Sequence, residues 1–297
     1  MAVLRHLSLR DFRNYTSLDL DLSEGRIVFS GNNGHGKSNV LEAIAYLGSL
    51  GSFRGAPPDA LIRAGAPAAV IRATVESGDR DLLIEAELVR GRANRIQVNK
   101  QRLGRARDLL GMMPVTVFGP DDLELVKAGP GLRRGYLDDL LVQLHPRNAK
   151  LCSEVDKILK QRNALLRSAG GRMTPDVEST LSVWNSKLGV AGEELGRARQ
   201  HLVARLEPRV NDAYGALAGE GNPVALGYEP AWLVAGLQRE LEASKTDELR
   251  RGTTLVGPHR DELEISLATM PARTHASQGE QRTMALALRI AGHHEVA

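Results

Sequence analysis

Hydrophobic and polar positions alternate along the first thirty residues in the manner of β-strands. The apolar run Val3–Leu9 is followed by three leucines that alternate with aspartates over 18–22, and a third run occupies 26–30. A period of two places successive side chains on opposite faces of a strand, so we expect three strands here. Apolar residues then recur at helical spacing over 40–47. Residues 31–38, which are rich in glycine, therefore connect a predicted strand to a predicted helix.

The next part of the chain again has strand patterns. Runs at 69–76, 81–90 and 93–99 are separated by short polar segments, with an obvious turn at 77–79, and predict an antiparallel meander. The apolar run at 114–118 predicts one more strand, short and buried.

From about Arg133 to Leu217 the pattern is helical, with a break at 169–171 and at Pro175. Because the chain must turn back there, we expect an antiparallel helical hairpin. Its second arm repeats apolar residues at alternating spacings of three and four, which is typical of a short coiled-coil seam. Trp184 is expected in the core, and the seam members are Leu181, Trp184, Leu188, Ala191, Leu195, Ala198 and Leu202.

Strand patterns return at 223–228 and 262–267, and a last helix is predicted from about Ser277. The whole pattern predicts an α/β fold in which a helical hairpin subdomain interrupts a lobe with an antiparallel meander. The predicted parts are the first part of the lobe at 1–130, the hairpin at 131–220 and the return to the lobe at 221–297.

Composition excludes several classes of protein. The 42% apolar and 25% charged residues match globular averages, which excludes collagen-like and wholly disordered chains. No stretch approaches the roughly 18 uncharged apolar residues of a membrane span, and Arg5 and Arg10 interrupt any signal-peptide core. We expect a cytoplasmic protein with no membrane partner. The single cysteine, Cys152, excludes an internal disulfide and a cysteine-based metal site.

Positive charge is concentrated in one segment. Seven basic residues fall between 90 and 107, with Asp108 as the only carboxyl close by, while the rest of the chain sums to about −4. A basic patch on an acidic body favours a polyanionic partner such as DNA, and a solvated hairpin rim is the alternative. The candidate DNA contacts are Arg90, Arg92, Arg95, Lys100, Arg102, Arg105 and Arg107.

Residues 31–38 match the phosphate-loop pattern G-x-x-x-x-G-K-[ST] at every fixed position. Glycines let successive backbone N–H groups face phosphate oxygens, and the start of the following helix adds partial positive charge. We expect Lys37 to reach the β and γ phosphates of ATP and Ser38 to ligate Mg²⁺. The candidate nucleotide contacts are Gly31, Asn32, Asn33, Gly34, His35, Gly36, Lys37 and Ser38.

A second polar motif, Ser277-Gln278-Gly279-Glu280-Gln281, stands at the start of the last predicted helix. Alone it is an ordinary helix N-cap. With a phosphate loop upstream it is similar to the signature of ABC- and SMC-type ATPases, in which the serine and glycine of one subunit close on the γ-phosphate held by another. The contact across the interface is therefore expected at Ser277 and Gly279.

Together these motifs resemble the RecF family of bacterial DNA gap-repair proteins. Glu280 stands where glutamine is more usual. Besides the phosphate loop, the landmarks that carry the resemblance are Phe12–Tyr15, Phe118–Leu123, Leu137–Asp139, Gly257–Asp261 and Ser277–Thr283.

The resemblance implies an ATP-dependent DNA-binding protein of recombinational gap repair, replication restart and the SOS response to DNA damage. Such a protein dimerises on ATP, assists recombinase loading on single-stranded DNA and has a weak, DNA-stimulated ATPase activity when intact. The implied cofactors are ATP and Mg²⁺. The implied partners are single- and double-stranded DNA, a second copy of the chain, RecR and RecO. Arg13 and Asn14 are implied to lie near the nucleotide.

An ATPase of this class needs one more strand after the signature helix, ending in an aspartate and an acidic neighbour (the Walker B strand). The aspartate orders Mg²⁺ and its neighbour positions the attacking water. The sequence stops at Ala297, where that strand would begin, and the run at 115–122 does not replace it because Gly119-Pro120 turns the chain. We therefore expect a truncated, ATP-binding but hydrolysis-deficient chain with no complete catalytic group.

Two other functions stay open at this point. An SMC-type chromosome organiser would need arms far longer than the roughly 60 Å that the helical part provides at about 1.5 Å per residue. A small-molecule kinase would use the phosphate loop but would leave the Ser277 motif and the basic meander without a role. The triplet His259-Arg260-Asp261 spells a protein-kinase catalytic loop but lacks the asparagine five residues later, so it is a coincidence.

Overall fold

The computed structural model describes residues 2–77, 80–219 and 221–296, and the chain divides into two compact units. The first unit runs to Val117 and includes Val296, and the second spans 118–295. The strands are β1 Ala2–Phe12, β2 Tyr15–Asp21, β3 Ala68–Ser77, β4 Arg80–Val89, β5 Arg95–Val98, β6 Gln101–Arg102, β7 Val224–Gly227, β8 Glu264–Leu267 and β9 Met270–Pro271. The helices are α1 Lys37–Ser49, α2 Pro58–Leu61, α3 Glu124–Lys127, α4 Pro130–Leu144, α5 Asn148–Ser168, α6 Pro175–Ala218, α7 Trp232–Ala235, α8 Leu237–Arg251, α9 Ala272–His275 and α10 Gln278–Val296.

The first unit is built on a six-stranded sheet in the order β2-β1-β3-β4-β5-β6, with every neighbouring pair antiparallel. The first two predicted strands and the predicted meander are confirmed, although residues 78 and 79 of the predicted turn at 77–79 lie outside the described residues. Alternate residues of β1, β3 and β4, such as Leu7, Ile71 and Ile84, are fully buried and form one core cluster with Leu47 of α1. Burying each such side chain contributes about 1.5–3 kcal/mol.

Two of the predicted strands are wrong. Residues 26–30 and 114–118 belong to no sheet in the described parts of the chain, Val28 is 85% exposed, and Phe118 is exposed as well. A strand needs a neighbour that exchanges backbone hydrogen bonds with it. Among the described residues β2, at the edge of the sheet, pairs only with β1. Apolar composition therefore indicated strands at places where no strand pairing forms in the described parts of the chain.

The second unit contains the long helices. The pairs Arg162–Asn185 and Leu166–Leu181 show that α5 and α6 run antiparallel, so the predicted helical hairpin is confirmed. The seam leucines are buried, but Trp184 is only half-buried and lies under the Lys187 ammonium, 5.0 Å from the ring centroid. The prediction of a core position for Trp184 is corrected, because the cation covers one face of its ring at the surface.

A small antiparallel sheet, β7-β8-β9, completes the second unit together with α10. These elements confirm the predicted return of strands and the predicted last helix. The Tyr136 hydroxyl of α4 donates to the Leu288 carbonyl at 2.6 Å and so ties α4 to α10. The mixture of antiparallel sheet and helices confirms the predicted α/β class, and the three-part division of the chain stays a prediction. Within the described ranges, no helix is long and apolar enough to cross a membrane.

Candidate nucleotide-binding site

The phosphate loop leads into the first turn of α1. Gly31, Gly34 and Gly36 have φ angles of 137°, 83° and 93°, values that favour glycine because other residues meet steric strain there. Gly36 is the N-cap residue, and no side chain caps the helix. The first amides of a helix have no intrahelical acceptor, so the start of α1 presents free N–H groups and a partial positive charge. This arrangement suits an anion.

The two functional side chains of the loop are placed differently. Lys37 Nζ donates to the carbonyl oxygens of Gly31 and Asn32 at 2.6 and 2.8 Å, which holds the ammonium over the loop. Ser38 is exposed in the first turn of α1. Its hydroxyl has no hydrogen-bond partner within the part of the chain that the structure describes. The loop therefore offers one fixed cation and one free hydroxyl.

The tip of the β1–β2 hairpin packs directly on the phosphate loop. A Cβ atom at Gly36 would lie 2.6–2.8 Å from the side-chain ends of Asn14 and Tyr15, which would have to move, and the positive φ angle of Gly36 also favours glycine. Asn39 of α1 donates to the Asn14 side-chain oxygen at 2.8 Å. Asn14 therefore lies beside the loop, and its expected position near the nucleotide stays a prediction.

Arg13, the neighbour of Asn14, is held by a buried carboxylate of α1. Its Nε and Nη2 atoms donate to the two oxygens of Glu42 at 2.8 and 2.7 Å, and Glu42 is fully buried. Burial alone would raise the pKa of Glu42. Hydrogen bonds from Arg13 and Ser52 and the charges of Arg13 and Arg54 outweigh burial and hold this pKa below its usual value. The φ angle of Arg13 is +52°, a costly conformation that this clamp maintains.

An open cavity of about 640 Å³ adjoins the hairpin tip. Its volume falls in the range of small-molecule sites, and its polar groups include an amide from α1 and two guanidinium groups. One of those groups belongs to Arg90, a member of the predicted DNA patch. The lining residues are Arg13, Asn14, Asn39, Asp59, Ala60, Ile62, Ala64, Gly65 and Arg90.

The signature motif begins α10 in the second unit. The Ser277 Oγ accepts the Glu280 amide at 3.3 Å, and the Glu280 carboxylate accepts the Ser277 amide at 2.7 Å. This reciprocal pair is a capping box, and it keeps the pKa of Glu280 below its ordinary value. Ser277 and Gly279 are both exposed. Ser277 is thus an N-cap whose hydroxyl proton remains available to a ligand.

The seven predicted DNA contacts follow the edge of the first unit's sheet. Arg90 and Arg92 lie in the β4–β5 connection and Lys100 in the β5–β6 turn. The exposed members are Arg90, Arg92, Arg95, Lys100, Arg102 and Arg105, whereas Arg107 is half-buried. The sequence predicted that Asp108 is the only carboxyl group near these basic residues, and this prediction is wrong. Glu87 opposes Arg95 across the β4–β5 pair and accepts from it at 3.3 Å.

A buried polar network around residues 254–262 was missed by the sequence reasoning. Arg162 and Glu248 are both fully buried and bonded at 2.6 Å, and Arg162 also donates to Thr254 at 2.9 Å. Arg199 donates to both oxygens of Asp138 at 2.8 Å and to the Pro258 carbonyl at 2.7 Å. Helices distant in sequence therefore fix this segment.

The same segment holds two further titratable groups. The Asp261 carboxylate accepts from Tyr228 and from Trp232, but burial outweighs these bonds and raises the pKa of Asp261. Burial lowers the pKa of His259 to about 4, helped by the charge of nearby arginines and opposed by the Thr254 carbonyl. His259 is therefore neutral at pH 7. No signal in the sequence could reveal this network, because it joins residues as far apart as Arg133 and Glu262, which are separated by 129 positions.

Metal-binding groups are few. Within the described ranges no cluster of three His, Cys, Asp or Glu side chains could hold a metal ion. The Ser38 hydroxyl is an oxygen ligand of the kind Mg²⁺ accepts, and Mg²⁺ usually takes its other ligands from substrate phosphates and water. The loop therefore fits Mg²⁺ only as a companion of a bound nucleotide.

Comparisons with known proteins agree on one family. The family model described as RecF/RecN/SMC N terminal domain matches residues 3–296. The DNA replication and repair protein RecF of Paenarthrobacter aurescens TC1 is 43% identical over 98% of this chain and 81% of its own length. RecF of Frankia alni is 44% identical over 97% of this chain and 81% of its own length.

The solved structures that match this chain include members of the same family. The recombination mediator protein RecF with ATPrS, described in the RecFOR pathway, superposes with a TM-score of 0.90 at 27% identity, over 98% of this chain and 80% of that one. An Smc head domain from Pyrococcus furiosus has a TM-score of 0.53 at 18% identity, over 98% of this chain and 79% of that one, which shows a shared fold. This chain belongs to the RecF family.

Proposed function

We propose that this protein binds ATP with Mg²⁺ at Gly31–Ser38 and uses the bound nucleotide to assemble on DNA during replication and repair. The observation that carries the proposal is the phosphate loop, with three left-handed glycines, an uncapped helix start and the Lys37 ammonium held above it. The RecF relatives are named for DNA replication and repair, and one matched structure is described as RecF with ATP.

Each residue of the loop has a distinct role in this proposal. The backbone amides at the start of α1 donate to phosphate oxygens, and Lys37 supplies a point charge to the β and γ phosphates. Ser38 is the protein ligand of Mg²⁺, which when bound neutralises charge on the same phosphates. Asn14 and the Arg13–Glu42 clamp keep the hairpin tip against Gly36, so the loop is already shaped before the nucleotide arrives.

Assembly follows from the second motif. Ser277 and Gly279 would contact the γ-phosphate of a nucleotide held by a second copy, giving a two-fold dimer with two nucleotides. Because ADP lacks that phosphate, it would not favour the dimer. In the cytoplasm, where a bacterial chromosome lies, such a dimer would act with RecR and RecO in gap repair and recombinase loading. DNA would bind at the seven basic residues between 90 and 107.

Sedimentation with ATP, with ADP and without nucleotide tests the assembly step. Asp and Asn both cap helices as well as Ser does, so Ser277→Asp and Ser277→Asn should keep α10 intact. We expect the parent to dimerise with ATP only, and Ser277→Asp to stay monomeric because its carboxylate repels the γ-phosphate. Dimerisation of the Asp variant equal to that of the parent would show that Ser277 is only a cap.

A further inference from the structure

Helix α5 carries a row of unpaired positive charge along its exposed face. Lys150, Lys157, Lys160 and Arg167 are all exposed. None of the four has a hydrogen-bond or ion-pair partner for its side-chain nitrogens within the part of the chain that the structure describes. We call these four residues the α5 ridge.

The spacing of the ridge places it on one side of the helix. At about 100° per residue, the four positions fall within an arc of about 100°. Val155, Ile158 and Leu166 occupy the opposite, buried side. At about 1.5 Å per residue the ridge is about 26 Å long. The result is a straight row of cations and not a pocket.

Several cations on the neighbouring helices form ion pairs. In α6, Arg197 pairs with Glu193 at 3.1 Å. In α8, Lys245 pairs with Glu178 of α6 at 2.6 Å, and Arg250 pairs with Asp247 at 2.8 Å. On α5 the acidic residues Glu154 and Asp156 lie near the edges of the solvent-facing arc and form no ion pair within the described ranges. Arg239 and Arg251 of α8 are also exposed and unpaired within the described ranges, but α5 is the one of these three helices whose described residues include four unpaired, exposed cations on one side.

We propose that the α5 ridge binds the phosphate backbone of duplex nucleic acid without regard to base sequence. A duplex carries about one negative charge per 1.7 Å of axis, so a straight row of this length meets phosphates along its whole extent. Lysine side chains are flexible point charges that suit such contacts. The ridge belongs to the second unit and the predicted contacts at 90–107 belong to the first, so the two sets share no residue. The choice of nucleic acid as partner rests on the proposed DNA-binding function.

The test compares two variants of equal charge. The ridge variant replaces Lys150, Lys157, Lys160 and Arg167 with Gln, which keeps helix propensity. The control replaces four ion-paired cations with Gln, namely the exposed Arg197, Arg205 and Arg250 and the half-buried Lys245. Binding of a labelled 30-base-pair duplex is measured by fluorescence anisotropy between 50 and 200 mM salt, and circular dichroism confirms that both variants are folded.

We expect the log–log salt slope of the ridge variant to fall by about 3 to 4, since each phosphate contact contributes about 0.9. Between 50 and 200 mM salt its affinity would then drop about 100-fold less than that of the parent. The control should change the slope by less than about 1. Equal slopes in the two variants would overturn the proposal. Ridge-dependent binding of poly-glutamate without ridge-dependent binding of the duplex would also overturn it and would indicate an acidic protein partner.

A parent chain that binds no duplex at all would instead refute the DNA part of the proposed function. Neutralising Arg92, Arg102 and Arg105 in a third variant separates the two surfaces. If the ridge acts independently, the slope losses of the ridge variant and of this variant add in the combined protein.

Discussion

The phosphate loop of the first unit and the segment 254–262 of the second are both short, polar and bent at a left-handed glycine. Their surroundings differ. All but two residues of the loop are exposed, and the Ser38 hydroxyl and the amides of Lys37 and Ser38 have no hydrogen-bond partner within the described ranges. In the second segment, Thr254 and Asp261 are buried and hydrogen-bonded. Open donors at a surface favour ligand binding, whereas paired polar groups in a core fix the fold.

Residue type alone does not distinguish a segment that binds a ligand from one that stabilises the fold. Arginine and carboxylate side chains occur at both places, and His259-Arg260-Asp261 even spells a catalytic triplet. Both carboxylate oxygens of Asp261 accept a hydrogen bond, one from Tyr228 and one from Trp232, and these bonds hold the segment in place. The two sites differ in whether their polar groups already have hydrogen-bond partners within the protein. Such partners are present at the structural site, and groups without them mark the candidate functional site.

The largest expected effect comes from breaking the buried pair of the second unit. Glu248→Ala leaves the Arg162 guanidinium buried without its carboxylate, which should cost about 3–5 kcal/mol of unfolding free energy. Urea denaturation measures the change. Asp247→Ala removes the partner of the exposed Arg250 and should cost less than about 1 kcal/mol. Similar losses in the two variants would contradict the structural role of the network.

Glu42 shares features with both places. It is buried, like the polar network of the second unit, and it holds the hairpin tip against the phosphate loop. Glu42→Gln should lower the unfolding free energy by about 2 kcal/mol and should also weaken Mg-ATP binding several-fold. The control is Glu262→Gln, which weakens a similar bidentate pair with Arg133 in the second unit. Calorimetric titration should find unchanged nucleotide affinity in the control. An affinity loss in both variants would mean that stability alone sets nucleotide binding.

A smaller effect should appear in the pH dependence of stability. The pKa of His259 is about 4 when folded and about 6.5 when unfolded, so the unfolded chain binds the proton more tightly. This contribution is complete above pH 6.5 and is lost as pH falls toward 4. In His259→Gln the amide can still donate to the Thr254 carbonyl. The stability of the parent should therefore decline more steeply than that of the variant over this range, and parallel curves would refute the assignment.

The sequence predicted the parts of the fold that depend on neighbouring residues. The β1–β2 hairpin, the meander and the α5–α6 hairpin all have partners close in the chain, and local periodicity was enough to find them. The segments 26–30 and 114–118 failed this test because strand formation depends on a partner that periodicity does not reveal.

The candidate site was predictable to a similar extent. The loop Gly31–Ser38 can be recognised from residue type and spacing, because binding a phosphate group requires glycines and a lysine at fixed positions. The Arg13–Glu42 clamp and the Arg162–Glu248 pair join residues 29 and 86 positions apart. The sequence shows the spacing of the α5 ridge but not that its four side chains lack ion-pair partners within the described ranges.

We propose that the phosphate loop binds a nucleotide and contributes little to the stability of the fold. Calorimetric titration of Mg-ATP into Lys37→Ala, paired with urea denaturation of the same protein, tests it most directly. Loss of a charged donor to phosphate should weaken binding by about 10- to 100-fold, while the unfolding free energy changes by less than about 0.5 kcal/mol because Lys37 bonds only to carbonyls of its own loop. Equal affinity in Lys37→Ala and the parent, or an affinity loss matched by unfolding of the variant, would contradict the account.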